Sequence, residues 1–152
     1  MSIKKITIVN KNKHFLIHIT MLSFYKFSGL GNDFILIDCE ENEILKINIK
    51  KLCDRHFGVG SDGVLFLKEN KNNTTLKIYN NDSSKAKMCG NALRCATFYM
   101  FLKNKRCYQT IRIGENDYKC KVLKHSKNKA KVKVEFDKIK ILISRIVSKA
   151  DK

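Results

Sequence analysis

Cys89, Gly90 and Asn91 stand between a polar turn at 81–84 and a run at 92–102 that is almost wholly apolar. A thiol placed just before the first turn of a helix faces backbone N–H groups with no intrahelical acceptor. It also faces the positive end of the macrodipole, and both favour a thiolate. Cys89 is therefore a candidate base. The same N–H groups suit a substrate carboxylate, and Gly90 removes the Cβ that would keep a ligand off the backbone. A buried, inert thiol is the competing reading of a cysteine beside an apolar run, and spacing alone leaves both open.

The elements that must hold this segment follow from the flanking patterns. Between 92 and 102 only Arg94 and Thr97 interrupt the apolar residues, so a helix there has no face for water and must be enclosed. The wrapping available is a curved sheet from the alternating segments on either side. Strands are expected at 22–27, 34–38, 64–67, 76–80, 108–114, 118–123 and 130–137, the last alternating Ala130, Val132, Val134 and Phe136 with Lys131, Lys133 and Glu135. Leu45, Ile49, Leu52 and Cys53 recur at helical spacing within 42–57, with Asn48 as a cap candidate, which predicts an amphipathic outer helix. The fold class is thus α/β of the α+β kind: one lobe in which a mostly antiparallel, barrel-like sheet wraps a central apolar helix.

Two loops bring further candidates. Ser28-Gly29-Leu30-Gly31-Asn32-Asp33 lacks the third glycine and the following helix of a dinucleotide site, but it presents Asn32, whose amide can both donate and accept, at a strand end. Asp54-Arg55-His56-Phe57-Gly58-Val59-Gly60-Ser61-Asp62-Gly63 is turn-rich, and its histidine suits a cap or packing role better than proton transfer.

The 152 residues suit one domain. A net charge of +17 suggests an anionic partner, yet only five of the 31 basic residues are arginine and the lysines are dispersed along the chain. No specific nucleic-acid partner is expected. Six cysteines without a Cys-x-x-Cys pair or a histidine at ligand spacing argue against structural zinc, so no metal is expected. Reduced thiols and the short, interrupted apolar stretch within 1–20 predict a cytoplasmic protein with no membrane partner. The expected organisation is an N-terminal extension at 1–20, the lobe at 21–138 and a basic tail at 139–152.

Taken together, Ser28-Gly-Leu-Gly-Asn-Asp-Phe34, Asp54-Arg-His-Phe-Gly-Val-Gly-Ser-Asp-Gly63, Tyr79-Asn80, Met88-Cys-Gly-Asn91 and Arg94-Cys95 strongly resemble the first half of diaminopimelate epimerase. The resemblance implies a single lobe of that fold and a cofactor-independent inversion of an amino acid α-carbon in lysine and peptidoglycan precursor synthesis. Cys89 matches the first of two catalytic cysteines. Asn32 and Asn80 match substrate-binding residues, and Gly90 and Asn91 match the anchor for the reacting carboxylate. Gly63 stands where some members place a substrate-contacting glutamine, so that contact would be lost.

Ser83 replaces a glycine of the family's turn, and Ala92 replaces the glycine after Cys-Gly-Asn. The Cys-Gly-Thr-Gly block that carries the second cysteine in the family's other lobe is absent from these 152 residues. The implied partners are therefore diaminopimelate and a second-lobe polypeptide or a homodimer mate. Three alternatives stand beside this: an inactive remnant, a basic nucleic-acid-binding module, and the phenazine-biosynthesis isomerase family, which shares the two-lobed fold but usually lacks a cysteine base.

Overall fold

A computed structural model describes residues 4–8, 20–39, 44, 47–70 and 73–136. The tail at 139–152 and most of the extension at 1–20 lie outside them. Strands β1 (Lys4–Ile8), β2 (Thr20–Gly29) and β3 (Asn32–Asp38) are followed by helix α1 (Ile49–Cys53). Then come β4 (Gly63–Glu69), β5 (Thr74–Asn80), β6 (Lys85–Ala86), helix α2 (Gly90–Asn104), β7 (Tyr108–Ile113), β8 (Asn116–His125) and β9 (Ala130–Glu135).

The strands form one sheet in the order β1-β2-β3-β4-β5-β7-β8-β9, with β6 paired to β5. Pairing is antiparallel except at two junctions, β3 with β4 and β5 with β7, where a helical segment intervenes in the chain. Helices α1 and α2 are the crossovers that parallel neighbours require.

The sheet curls around α2. Ala92, Leu93, Cys95, Ala96, Thr97, Phe98, Tyr99, Met100 and Phe101 are all buried, so every side of the helix meets protein. Its two buried hydroxyls both find acceptors, Thr97 at the Leu93 carbonyl at 2.7 Å and Tyr99 at Asp38 Oδ2 at 2.8 Å. Lys105, at φ 61°, ends the helix, and its N–H donates to the Phe101 carbonyl. Leu36, Leu65, Leu67, Leu76, Ile78 and Ile111 supply the sheet's inner face. Ile35, Ile37, Val64 and Phe66 point the other way and pack on Ile49, Leu52 and Cys53 of α1. Strands β3 and β4 are buried on both faces, which is why they read as continuous apolar runs rather than alternations.

The curl is open between β9 and the end of β2. A groove of about 1180 Å³ lies there, lined among others by Phe27, Cys95, Phe98, Leu102 and Val132. No helix among the described residues is long and apolar enough to cross a membrane.

Two local expectations need correction. The outer helix ends at Cys53 rather than continuing to Phe57, because the Asp54 carboxylate accepts from the N–H groups of both His56 and Phe57 at 2.7 and 2.8 Å and turns the chain out of helix. Asn48 does cap it, accepting from Lys51 N–H at 3.0 Å. Strand β5 also begins earlier than expected, at Thr74, in ladder with Glu69.

Phe98 is 8% exposed and packs with Phe101, Val122, Phe27 and Val132 between α2 and the sheet. Phe98→Ala should destabilise the chain by about 3–5 kcal/mol in urea unfolding, and a loss under about 1 kcal/mol would mean that α2 is not enclosed.

Candidate active site

The strand ends decide what meets what. Phe34 of β3 pairs with Gly63, and Gly63 pairs with Asn80 at the end of β5, so Asn32, Gly63 and Asn80 fall at one end of the sheet. The chain leaves Asn80 through a tight turn, runs back along β5 as β6, and enters α2 at Cys89. The helix start is thereby returned to the same end.

Cys89 is the N-cap of α2, in extended backbone at φ −152°, and its Sγ accepts from Ala92 N–H at 3.5 Å. The thiol takes the place that Ser or Asp usually holds at a helix start. It is half-buried. Helix geometry leaves the N–H groups of Gly90 and Asn91 without an intrahelical acceptor. The volume that a Cβ would fill at Gly90 is bordered by Arg94 Nη1 and Phe136, both 3.3 Å away. Glycine there leaves room for the ends of those two side chains.

Asn91 is tied across the site. Its Nδ2 donates to Asn32 Oδ1 at 2.8 Å, and its own Oδ1 accepts from Arg94 Nη1 at 2.9 Å. Asn32 Nδ2 donates in turn to Asp62 Oδ2 at 3.3 Å, an oxygen that also takes the Asp33 N–H at 2.9 Å. Arg55 Nη2 reaches both Asp62 Oδ1 and Asp33 Oδ1 at 2.8 Å, and Lys26 adds a 2.5 Å ion pair to Asp33 and a bond to the Gly60 carbonyl.

The approach of β2 to the helix depends on Gly29, where a Cβ would lie 3.1 Å from Cys95 Sγ and 3.3 Å from the Asn91 carbonyl oxygen. The turn after it places Leu30 at φ 50° and Gly31 at φ 93°, positive at both central positions as a two-residue hairpin requires.

Of the residues picked out in the sequence, Asn32, Gly90, Asn91 and Cys89 are thus assembled. Asn80 shares their end of the sheet, but its amide is turned to Ser84 Oγ at 2.9 Å, closing its own turn. Ser83 at φ 73° holds that turn in the left-handed region that a glycine would occupy without strain. His56 lies in the exposed Asp54 turn. At Gly63 a Cβ would stand 2.5 Å from the Tyr79 carbonyl oxygen, so this backbone has no room for the glutamine of some relatives.

Cys95 is buried, and its thiol is pushed up to about 12, by burial first and by Cys89 second, with Arg94 opposing. Burial likewise raises Cys53 and Cys120, consistent with packing. The sequence reading missed Asp33, Arg55, Asp62 and Arg94 as a connected set. The available signal for Asp33, Arg55 and Asp62 was opposite charges set inside two glycine-rich segments.

The Arg55 hydrogen bond, opposed by burial and reinforced by Lys26, holds the Asp33 carboxyl well below the usual carboxylate range. A depressed folded-state pKa contributes stability above the unfolded value, near 4, and loses it as pH falls through the folded one. Asp33→Asn should therefore cost about 1–3 kcal/mol at pH 7, with the gap from wild type narrowing below about pH 4 in chemical unfolding. A gap that stays constant from pH 7 to 2 would contradict the pairing.

Residues 24–142 match the diaminopimelate epimerase family. The chain is 39% identical over 121 residues to the chloroplastic diaminopimelate epimerase of Oryza sativa subsp. japonica, a match that covers 76% of this chain and 34% of that protein. It is 36% identical over 131 residues to the diaminopimelate epimerase of Thermosynechococcus vestitus, covering 82% and 46%. The chain therefore spans from about a third to just under half of these relatives' length. Among solved structures, a phenazine biosynthesis protein of the PhzF family from Bacillus anthracis superposes with a TM-score of 0.54 at 13% identity, covering 74% of this chain and 40% of that one. A predicted epimerase from Pseudomonas aeruginosa gives 0.53 at 10% identity, covering 67% and 38%. At such identities these two speak for the fold alone. The sequence match through the glycine loops and the cysteine block carries the assignment: the chain belongs to the diaminopimelate epimerase family.

Proposed function

We propose that this chain is the first lobe of an enzyme that interconverts LL- and meso-diaminopimelate without a cofactor, with Cys89 as one of two bases. The observation that carries the reading is a half-buried thiol capping an enclosed helix, in a chain whose family acts at an amino acid α-carbon. In the forward step the C–H bond at the α-carbon breaks and its proton passes to the Cys89 thiolate. The electron pair left on carbon delocalises into the adjacent carboxylate. Gly90 and Asn91 N–H groups, with the helix dipole behind them, stabilise that charge.

Inversion then needs a proton delivered to the opposite face, since a single base returns the proton to the side it came from. Cys95, buried and pushed upward, is unsuited to that role. The second donor is therefore assigned to a second-lobe polypeptide of the kind that carries Cys-Gly-Thr-Gly in the family, which would also close the site to water. Asn32 and Asn80 are proposed to bind the remainder of the substrate. The half-site reading rests on these residues offering one base, and an inactive remnant is the reading that the same experiment separates.

Incubated with diaminopimelate in deuterated water, the 152-residue chain alone should give neither inversion nor α-deuteration by NMR. Addition of a second-lobe polypeptide should restore both, and Cys89→Ala in that pair should lower turnover by on the order of 10²–10⁴. Robust turnover by the chain alone would overturn the half-site reading, undiminished turnover by Cys89→Ala would overturn the base assignment, and a pair that stays inactive would favour the remnant.

A further inference from the structure

Strand β9 ends the sheet and pairs with β8 alone. Across the opening, residues Tyr25 to Gly29 of β2 pair with β3 on one edge, while on the other edge β1 reaches only to Phe24. Among the described residues, two strand edges beside the groove thus lack a partner strand. The floor of the groove is unfinished core. Phe98 is buried, but Phe27, Leu102, Ala130 and Val132, which pack around it, are only half-buried. Unpaired backbone beside half-covered apolar side chains is what an added strand satisfies.

The sequence after β9 has the pattern of such a strand. From Phe136 the chain reads Asp137-Lys138-Ile139-Lys140-Ile141-Leu142-Ile143-Ser144-Arg145, outside the described residues, with isoleucine at every second position from 139 to 143. On β9 the half-buried residues are Ala130, Val132 and Val134, and Lys131, Lys133 and Glu135 are exposed. A turn at 137–138 brings the segment back antiparallel, with Ile141 opposite Val134 and Ile143 opposite Val132, so that all three isoleucines share the inner face. The same register sets Lys140 opposite Glu135, Leu142 opposite Lys133 and Ser144 opposite Lys131, so no two lysines stand directly across from each other. A slip of one residue turns every isoleucine outward. A slip of two sets Arg145 inward, opposite Val132.

We propose that the groove is a strand-docking site whose occupant is the chain's own segment 139–144, added antiparallel to the free edge of β9 so that Ile141 and Ile143 cover Phe98 and Leu102. A strand returning through a two-residue turn is tethered beside its edge at high effective concentration, which favours it over the same strand from a second copy. The core of the lobe is then completed by its own chain, and no second polypeptide is needed to cover it. The inference does not rest on the epimerase reading, and its test needs no substrate.

The test is NMR of the full 152-residue chain with isotopic labels. Nuclear Overhauser contacts are expected between the backbone protons of Glu135 and Lys140 and of Lys133 and Leu142, and from the Ile141 and Ile143 methyl groups to the Phe98 ring. Amide exchange at 139–144 should be slower than in an unstructured chain by about tenfold or more. Ile141→Asp places a carboxylate on the inner face and should abolish that slowing while β3 and β4 exchange as in wild type. Leu142→Asp, on the outer face opposite Lys133, should preserve it.

Fast exchange at 139–144 in wild type, protection that survives Ile141→Asp, or equal loss in Leu142→Asp would overturn the proposal. Contacts seen only between differently labelled molecules in a mixed sample would overturn it too, by making the occupant a second copy's segment. Should Ile141→Asp fail to fold, the presence or absence of the wild-type contacts decides the outcome.

Discussion

The hydrogen bond from Asn91 to Asn32 joins side chains 59 residues apart in sequence, and the geometry of the candidate site hangs on it. On one side is the first turn of a helix, on the other the start of a central strand. Neither amide could hold its partner in a fixed orientation unaided, because an amide offers a donor and an acceptor on nearly isosteric groups. Arg94 and Asp62 remove that freedom by bracketing the pair with opposite and unequivocal chemistry. With the helix start held at the sheet end, the Cys89 cap and the first-turn N–H groups are positioned by the same restraint.

The rest of the fold makes the restraint affordable. A 15-residue helix enclosed by a curled sheet draws its stability from apolar burial, so its N-terminus needs no elaborate cap and can carry a thiol instead of a stronger acceptor. Strands β3 and β4, packed against α2 on one face and α1 on the other, give the loops at their ends a rigid footing. Strain gathers at those loops: Leu30 and Ser83 both take a left-handed backbone, each at a cost of about 1 kcal/mol, in the two turns that flank the assembled residues. Leu30 is also 78% exposed, so the cost is not recovered by burying its side chain within this lobe.

Much of the architecture was legible from local pattern. Two-residue alternation marked β9, an apolar run broken only by Arg94 and Thr97 marked α2, and Asn48 announced the start of α1. What escaped was everything that depends on two distant segments meeting. The Asp54 turn that ends α1 competes with helix through a side chain, and periodicity does not register it. The parallel junctions arise from chain crossovers. Asp33, Arg55, Asp62 and Arg94 look like ordinary surface charges until the β3–β4 register brings the two glycine loops together. Gly63 looked like a lost contact, and the close Tyr79 carbonyl gives the physical reason no side chain stands there.

A double-mutant cycle between Asn32 and Asn91, each replaced by alanine singly and together and followed by urea unfolding, tests this account most directly. If the two amides form one relay, their effects are coupled by about 1 kcal/mol or more, the double variant losing less than the sum of the single ones. Additivity within about 0.3 kcal/mol, in variants that stay folded, would show that the helix start and the glycine loop are held independently and would contradict it.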